Sequence, residues 1–159
     1  MTDASFQDGS ENPVRIIAES DTDLQVISAL VQDAVGQNSE VSWMPRHNRF
    51  TMLLNRFRWE DKANATQQGR PFERVQAMLV ISNVLKAGGD GINPRDKDSI
   101  FSVLSITFEP ENDAAGEVVI TLAGDGAIRL KAECLEVSLI DVSRPYKARA
   151  KSAPAHKLD

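Results

Sequence analysis

Between residues 14 and 146 apolar runs alternate with turn signals, and most of the runs have a period of two. Phe50, Met52 and Leu54 fall on one side of an extended strand, while Arg49, Thr51 and Asn55 fall on the other. Ile128, Leu130, Ala132 and Cys134 repeat that spacing. Two hairpins are therefore predicted: VSWM joined to FTMLLNRFRW through PRHNR, and EVVITL joined to AIRLKAECLEVSLI through AGDG, where Asp125-Gly126 suits a tight turn. In each the apolar phase then slips by one residue, to Phe57 and Trp59 in the first and to Leu135, Val137 and Leu139 in the second. Such a slip calls for a β-bulge or for a strand that exchanges one sheet face for another. In the first hairpin it also sends Arg56 and Arg58 to the solvated side.

Elsewhere the period lengthens to 3.6. Ser20-Asp21-Thr22-Asp23 supplies capping side chains, and Leu24, Ile27, Leu30, Val31, Ala34 and Val35 share one face, which predicts a helix over about Thr22–Val35. Arg15–Ala18 reads as a short strand, and Gly36-Gln37-Asn38 interrupts the pattern. Val26-Ile27-Ser28 and Val103-Leu104-Ser105 are separated as Val41 is from Val118, so a repeat of about half the domain is expected. The upstream copies conflict, because capping favours a helix over 24–34 while the matching FSVLSITF favours a strand. Arg74–Lys86 fits either state, and its β-branched run before Gly88-Gly89 favours a strand. The expected fold is α+β and strand-dominated, with two related antiparallel hairpin units forming a sandwich or partly open barrel under one covering helix. Residues 1–13 and 147–159 are expected to be tails around a single domain at 14–146.

A chain of 159 residues can bury a core without disulfides or metals. Its net charge of −5 weighs against general nucleic-acid binding, but the charge is uneven. Phe101–Asp141 holds eight acids against two bases, whereas Glu40–Asp61 holds four arginines against three acids. The acidic start lacks the basic and apolar regions of a secretory signal. The longest uncharged apolar run, Gln76–Leu85, is about half of a membrane span, so a cytoplasmic location is expected. The single Cys134 lies in an apolar alternation, which suits a small buried hydrophobe in a reducing compartment.

Candidate chemistry concentrates in EVSWMPRHNRFTMLLNRFRWED, which holds both tryptophans, four arginines and one of two histidines. Period-2 packing assigns most of its aromatics to a core. Arg46, His47 and Arg49 at the turn, with Asn55, Arg56 and Arg58 beyond it, form a candidate surface for an anionic protein or small ligand. The leading expectation is thus a non-enzymatic binding or interaction module. The alternative is a small-ligand carrier or enzyme with a pocket between the hairpin units, where Asn55, Arg56 and Glu60 converge with Gln32 and Asp33. Edge-to-edge pairing of strands into a homodimer is a third, structural reading.

Other motifs reduce to turns and packing. AGGDG at Ala87–Gly91 and AGDGA at Ala123–Ala127 open no helix, so neither presents free N–H groups to a phosphate. Asp90, Asn93, Asp96 and Asp98 lack calcium-loop spacing, with Phe101 at the twelfth position, and no metal or cofactor is expected. Ser28, Ser82 and Ser105 have no nucleophile-elbow context, and His47 is the one candidate base outside the tail.

DLQVISALVQDAV, RFTMLLNRFRWE, ITFEP and GAIRLKAECLEVSLID together resemble the bacterial domain-of-unknown-function family 2948. The resemblance covers about Arg15–Pro145, and its most specific pieces are Gln32-Asp33-Ala34 and Asn55-Arg56-Phe57 with Trp59-Glu60. It implies a small single-domain cytoplasmic protein of alphaproteobacterial type, and it carries no catalytic or ligand residues.

Overall fold

The computed structural model describes residues 12–148. Its strands are β1 (Arg15–Ala18), β2 (Val35–Gln37), β3 (Val41–Met44), β4 (Arg49–Phe57), β5 (Glu73–Ile81), β6 (Val84–Asp90), β7 (Ile100–Pro110), β8 (Gly116–Leu122), β9 (Gly126–Ala132), β10 (Val137–Asp141) and β11 (Tyr146–Lys147). The described residues also hold two α-helices, α1 (Asp21–Leu30) and α2 (Lys62–Gln68), and three short 3-10 helices, Asn38–Glu40, Pro45–His47 and Trp59–Asp61. The strands form one open antiparallel sheet in the order β1-β10-β5-β4-β2-β7-β8-β9-β6, with β3 on β4 and β11 on β5.

The sheet folds back on itself at two places. The first is β7, whose Ile100–Ser102 end pairs with β2 and whose remainder pairs with β8, across a register shift between Val103 and Ser105. The second is the corner between β5 and β6, where Asn83 takes φ 61° and β6 leaves to join β9. These two bends bring the inner faces together around Met52, Leu54, Leu79, Ile81, Ile120 and Leu130, all fully buried. Hydrophobic burial of this kind is the main stabilising contribution to the fold.

Helix α1 closes one side of that core. The Ser20 side chain accepts a hydrogen bond from the Asp23 amide at 3.2 Å and caps it, and Leu24 and Ile27 face inward. Ser28 Oγ accepts from the Ile106 amide at 2.9 Å, tying the helix to β7. The helix stops at Leu30, earlier than its apolar pattern predicts. At Asp33 the backbone turns to φ 63°, and the chain is captured by β7 through Asp33 N–H to Val103 O and Val103 N–H to Ala34 O, both 2.8 Å. Strand pairing there replaces the last helical turn. Val103-Leu104-Ser105 is strand while Val26-Ile27-Ser28 is helix, so these similar triplets take different structures.

Both hairpins form: β3 pairs with β4, and β8 with β9, around positive φ at Gly124 (82°) and Asp125 (67°). Their phase slips have different causes. In the second, β9 ends at Ala132 and the chain crosses to a new position as β10 between β1 and β5, so the strand changes neighbours. In the first there is no bulge, because β4 runs in unbroken register with β5 from Phe50 opposite Ile81 to Phe57 opposite Arg74. The inward alternation continues to Arg56, which is fully buried, and Phe57 is buried on the opposite face against Trp59 and Phe72. The expected solvated position of Arg56 and Arg58 is therefore corrected, as both side chains are inside. The segment expected as one strand at 74–86 is two, and α2 is an added helix ended by Gly69 in the left-handed region. Lys147 pairs with Glu73 and the Ala148 amide bonds Phe72 O, so sheet contacts reach past residue 146. The tail segments 1–11 and 149–159, with His156, lie outside the described residues.

Where β7 meets β8, a Cβ at Gly116 would lie 2.6 Å from the Glu109 carbonyl oxygen, whereas at Gly88 it would meet nothing within 4 Å. Gly116→Ala is expected to destabilise by about 1–3 kcal/mol through overpacking. Gly88→Ala should change stability by less than about 0.5 kcal/mol. Urea unfolding of the two variants checks the contrast.

Candidate functional site

Strand β4 has a charged end and an apolar end. At the charged end Arg56 donates from Nε and Nη2 to the two Asp141 oxygens (3.0 and 2.9 Å) and from Nη1 and Nη2 to the two Glu60 oxygens (2.9 and 2.8 Å). Its fifth N–H, on Nη1, goes to the Phe57 carbonyl at 3.2 Å. A guanidinium has five donors, and all are used. Burial alone lowers the Arg56 pKa, but the hydrogen bonds to Glu60 and Asp141 outweigh it and the net shift is upward. Glu60 shows the converse: burial raises its pKa, and the Arg56 hydrogen bond and charge bring the net value below the ordinary carboxylate range.

The neighbouring loop between β4 and β5 is held by the same chemistry. Arg58 pairs with Glu73 and lies 3.6 Å from both Glu60 and Asp61, and Asp61 receives two hydrogen bonds from Arg70 at 3.1 Å each. Asp141 also accepts the Val14 amide at 2.8 Å, which fastens the start of β1. These carboxylates and arginines answer one another, so Arg56 has no donor left for a ligand.

At the other end, about 20 Å along the strand at ~3.4 Å per residue, lies an open cleft of about 430 Å³. Trp43 and Phe50, directly opposite each other in the β3–β4 hairpin, form one wall with Val41. Leu122 and Ile128 of the second hairpin form the facing wall, and Phe101 lies between. Ala87, Gly88 and Gly89 of β6 leave room because they carry little or no side chain. The cleft exists because β3 pairs with β4 alone and β6 with β9 alone, so the two strands border a gap instead of bonding.

The loop between β6 and β7 borders this gap through Ile92, Pro94 and Lys97. It is pinned by Asn38, whose amide donates to the carbonyls of Asn93 (3.1 Å) and Asp96 (2.9 Å), and by Ser39 N–H to Lys97 O at 3.0 Å. The Asn38 amide donors are thus committed. Lys97 is the one ionisable residue lining the cleft, and among the described residues its side chain makes no hydrogen bond or ion pair.

The residues expected at a site are dispersed. Arg46, His47 and Arg49 are exposed at the tip of the first hairpin, and among the described residues their side chains have no ion-pair partner. Arg56 and Arg58 are separated from them by burial. Asn55 Oδ1 accepts from Arg74 at 3.0 Å on the outer face of the sheet, beside Gln76 in a shallow groove. The Gln32 carbonyl accepts the Trp59 indole N–H at 3.0 Å, and Asp33 sits at the β7 junction. Neither these two nor Asn55, Arg56 or Glu60 lines the cleft between the hairpins; of the five, Arg56 and Glu60 meet each other in the buried ion pair. Trp43 and Phe50 were legible only among aromatics assigned to a core, Phe101 only as part of a strand, and Gly88-Gly89 only as a turn.

The family model described as "Protein of unknown function (DUF2948)" matches residues 14–156, nearly the whole chain. The chain belongs to this family. No curated protein and no solved structure matches this DUF2948 chain. Among its described residues no helix is long and apolar enough to cross a membrane.

Replacing Arg56 by Ala leaves the Asp141 carboxylate buried without its main partner, and a loss of about 3–5 kcal/mol in urea unfolding is expected. The Glu60 pKa is lowered on folding, so its contribution is present above the unfolded carboxylate pKa of 4.5 and is lost as pH falls through the folded value. Glu60→Gln should therefore flatten the fall in stability between neutral and acid pH, measured as urea midpoints across that range.

Proposed function

We propose that this DUF2948 protein is a non-enzymatic binding module that takes a small, mainly apolar ligand into the cleft between its two hairpins. The observation that carries this reading is the cleft itself. Its volume of about 430 Å³ lies in the range of small-molecule sites, and Trp43, Phe50 and Phe101 offer it aromatic surface. Binding is favoured over turnover because the lining holds few polar groups, of which Asn38 is engaged by the loop. The free Cys134 suits a cytoplasmic setting.

A second reading is supported by the hairpin tip. Arg46 and Arg49 are exposed cations beside the exposed His47 that, among the described residues, have no ion-pair partner, and they suit an anionic partner surface. Arg56 and Arg58 take no part in it. Poly-L-glutamate binding that Arg46→Glu with Arg49→Glu abolishes, at unchanged unfolding midpoint, would support this surface.

For the cleft, the probe is anilinonaphthalene sulfonate, an apolar body with one anionic group. Ala87→Leu fills the cleft from the inward face of β6, where Ala87 lines it and is paired with the buried Leu130. The native chain is expected to bind the probe with enhanced fluorescence, and Ala87→Leu to weaken binding by about tenfold or more, or 1.4 kcal/mol, in a variant that still unfolds cooperatively in urea. Equal binding by the two folded proteins would remove the cleft as the site.

A further inference from the structure

Resting on the cleft reading, we infer that its ligand is a free monoanionic amphiphile, an apolar chain ending in a carboxylate that is met by Lys97. The cleft presents apolar walls along its length and a single ionisable residue, so a ligand with one charge at one end matches it, and the sign must be negative. Lys97 is suited to the task by its backbone. The Ser39 amide holds its carbonyl at 3.0 Å, and the Asn38 side chain fixes the two carbonyls at Asn93 and Asp96 on the same loop. The loop therefore anchors the base of a flexible four-carbon stem whose ammonium is uncommitted among the described residues.

The alternatives each leave a group without a counterpart. An alcohol of the same chain length fills the apolar walls but gives Lys97 no charge-assisted hydrogen bond. An ammonium head meets a like charge. A phosphate monoester brings close to two negative charges against one lining cation. Arg46, His47 and Arg49, the nearest basic cluster in sequence, do not line the cleft. Ala87 and Gly89, the inward-facing positions of β6, present at most a methyl group to the cleft, which favours a slender chain beside that strand.

The test is displacement of anilinonaphthalene sulfonate by laurate, dodecan-1-ol and dodecylammonium, below their aggregation concentrations, with calorimetry on the native chain. Laurate is expected to bind more tightly than dodecan-1-ol by about tenfold or more, with dodecylammonium weakest. Lys97→Met should abolish the laurate preference while leaving dodecan-1-ol binding in place, and Lys97→Arg should retain the preference. Equal affinity of laurate and dodecan-1-ol for the native chain, or a laurate preference that survives Lys97→Met, overturns the inference while leaving an apolar cleft site intact. Displacement that is insensitive to Ala87→Leu removes both. Flotation with phosphatidylglycerol vesicles separates the free anion from a lipid surface: the chain is expected to stay in solution, and Lys97-dependent flotation without laurate binding would overturn the free-ligand assignment.

Discussion

The buried guanidinium of Arg56 organises this structure. A charge of that kind can persist in a core only if its lost hydration is replaced donor by donor. Here Asp141, Glu60 and the Phe57 carbonyl replace it completely. Satisfying one side chain fixes the relation of three segments remote in sequence, because Asp141 lies on β10, Glu60 lies after β4, and Asp141 also holds Val14 before β1. Arg58, Asp61, Arg70 and Glu73 extend the same logic through the β4–β5 loop. The geometry is specified more tightly than apolar packing alone would require.

That arrangement gives β4 its polarity and separates structure from recognition. One end is a closed set of charges with nothing left to offer. The other end, where β3 and β6 border a gap, exposes Trp43 and Phe50 to a cleft that the sheet leaves unfilled. An open sheet that curls back on itself has a place where its edges approach without bonding, and a ligand site is economical there, since no core contact has to be given up. The loop with Lys97 adds one charge beside that space.

Much of the framework was legible from residues near one another. The Ser20 cap, the inward set from Leu24 to Ile27, both hairpins and the strand at β1 follow from local spacing and turn chemistry. Arg56 shows where legibility stopped. Strict alternation from Phe50 through Leu54 places residue 56 inside, and the spacings Arg56 to Glu60 and Arg58 to Asp61 hint at pairing, but the apolar Phe57 and Trp59 read as a slip of that phase that turns Arg56 outward. Asp141, its second partner, is 85 residues away, and no local pattern connects them. The cleft was hidden for a related reason: an aromatic that packs a core and one that walls a gap have the same period.

The amino-acid sequence by itself determined a strand-dominated α+β chain, its hairpins, its first helix and its place in the DUF2948 family, because these rest on short-range periodicity, turn residues and family pattern. Only the tertiary structure decided which arginines are spent inside and which are free, where α1 yields to β7, and that β3 and β6 stop short of each other. Each of those outcomes depends on contacts between distant segments, and burial of a charge or failure of two edges to meet is a property of the assembled sheet.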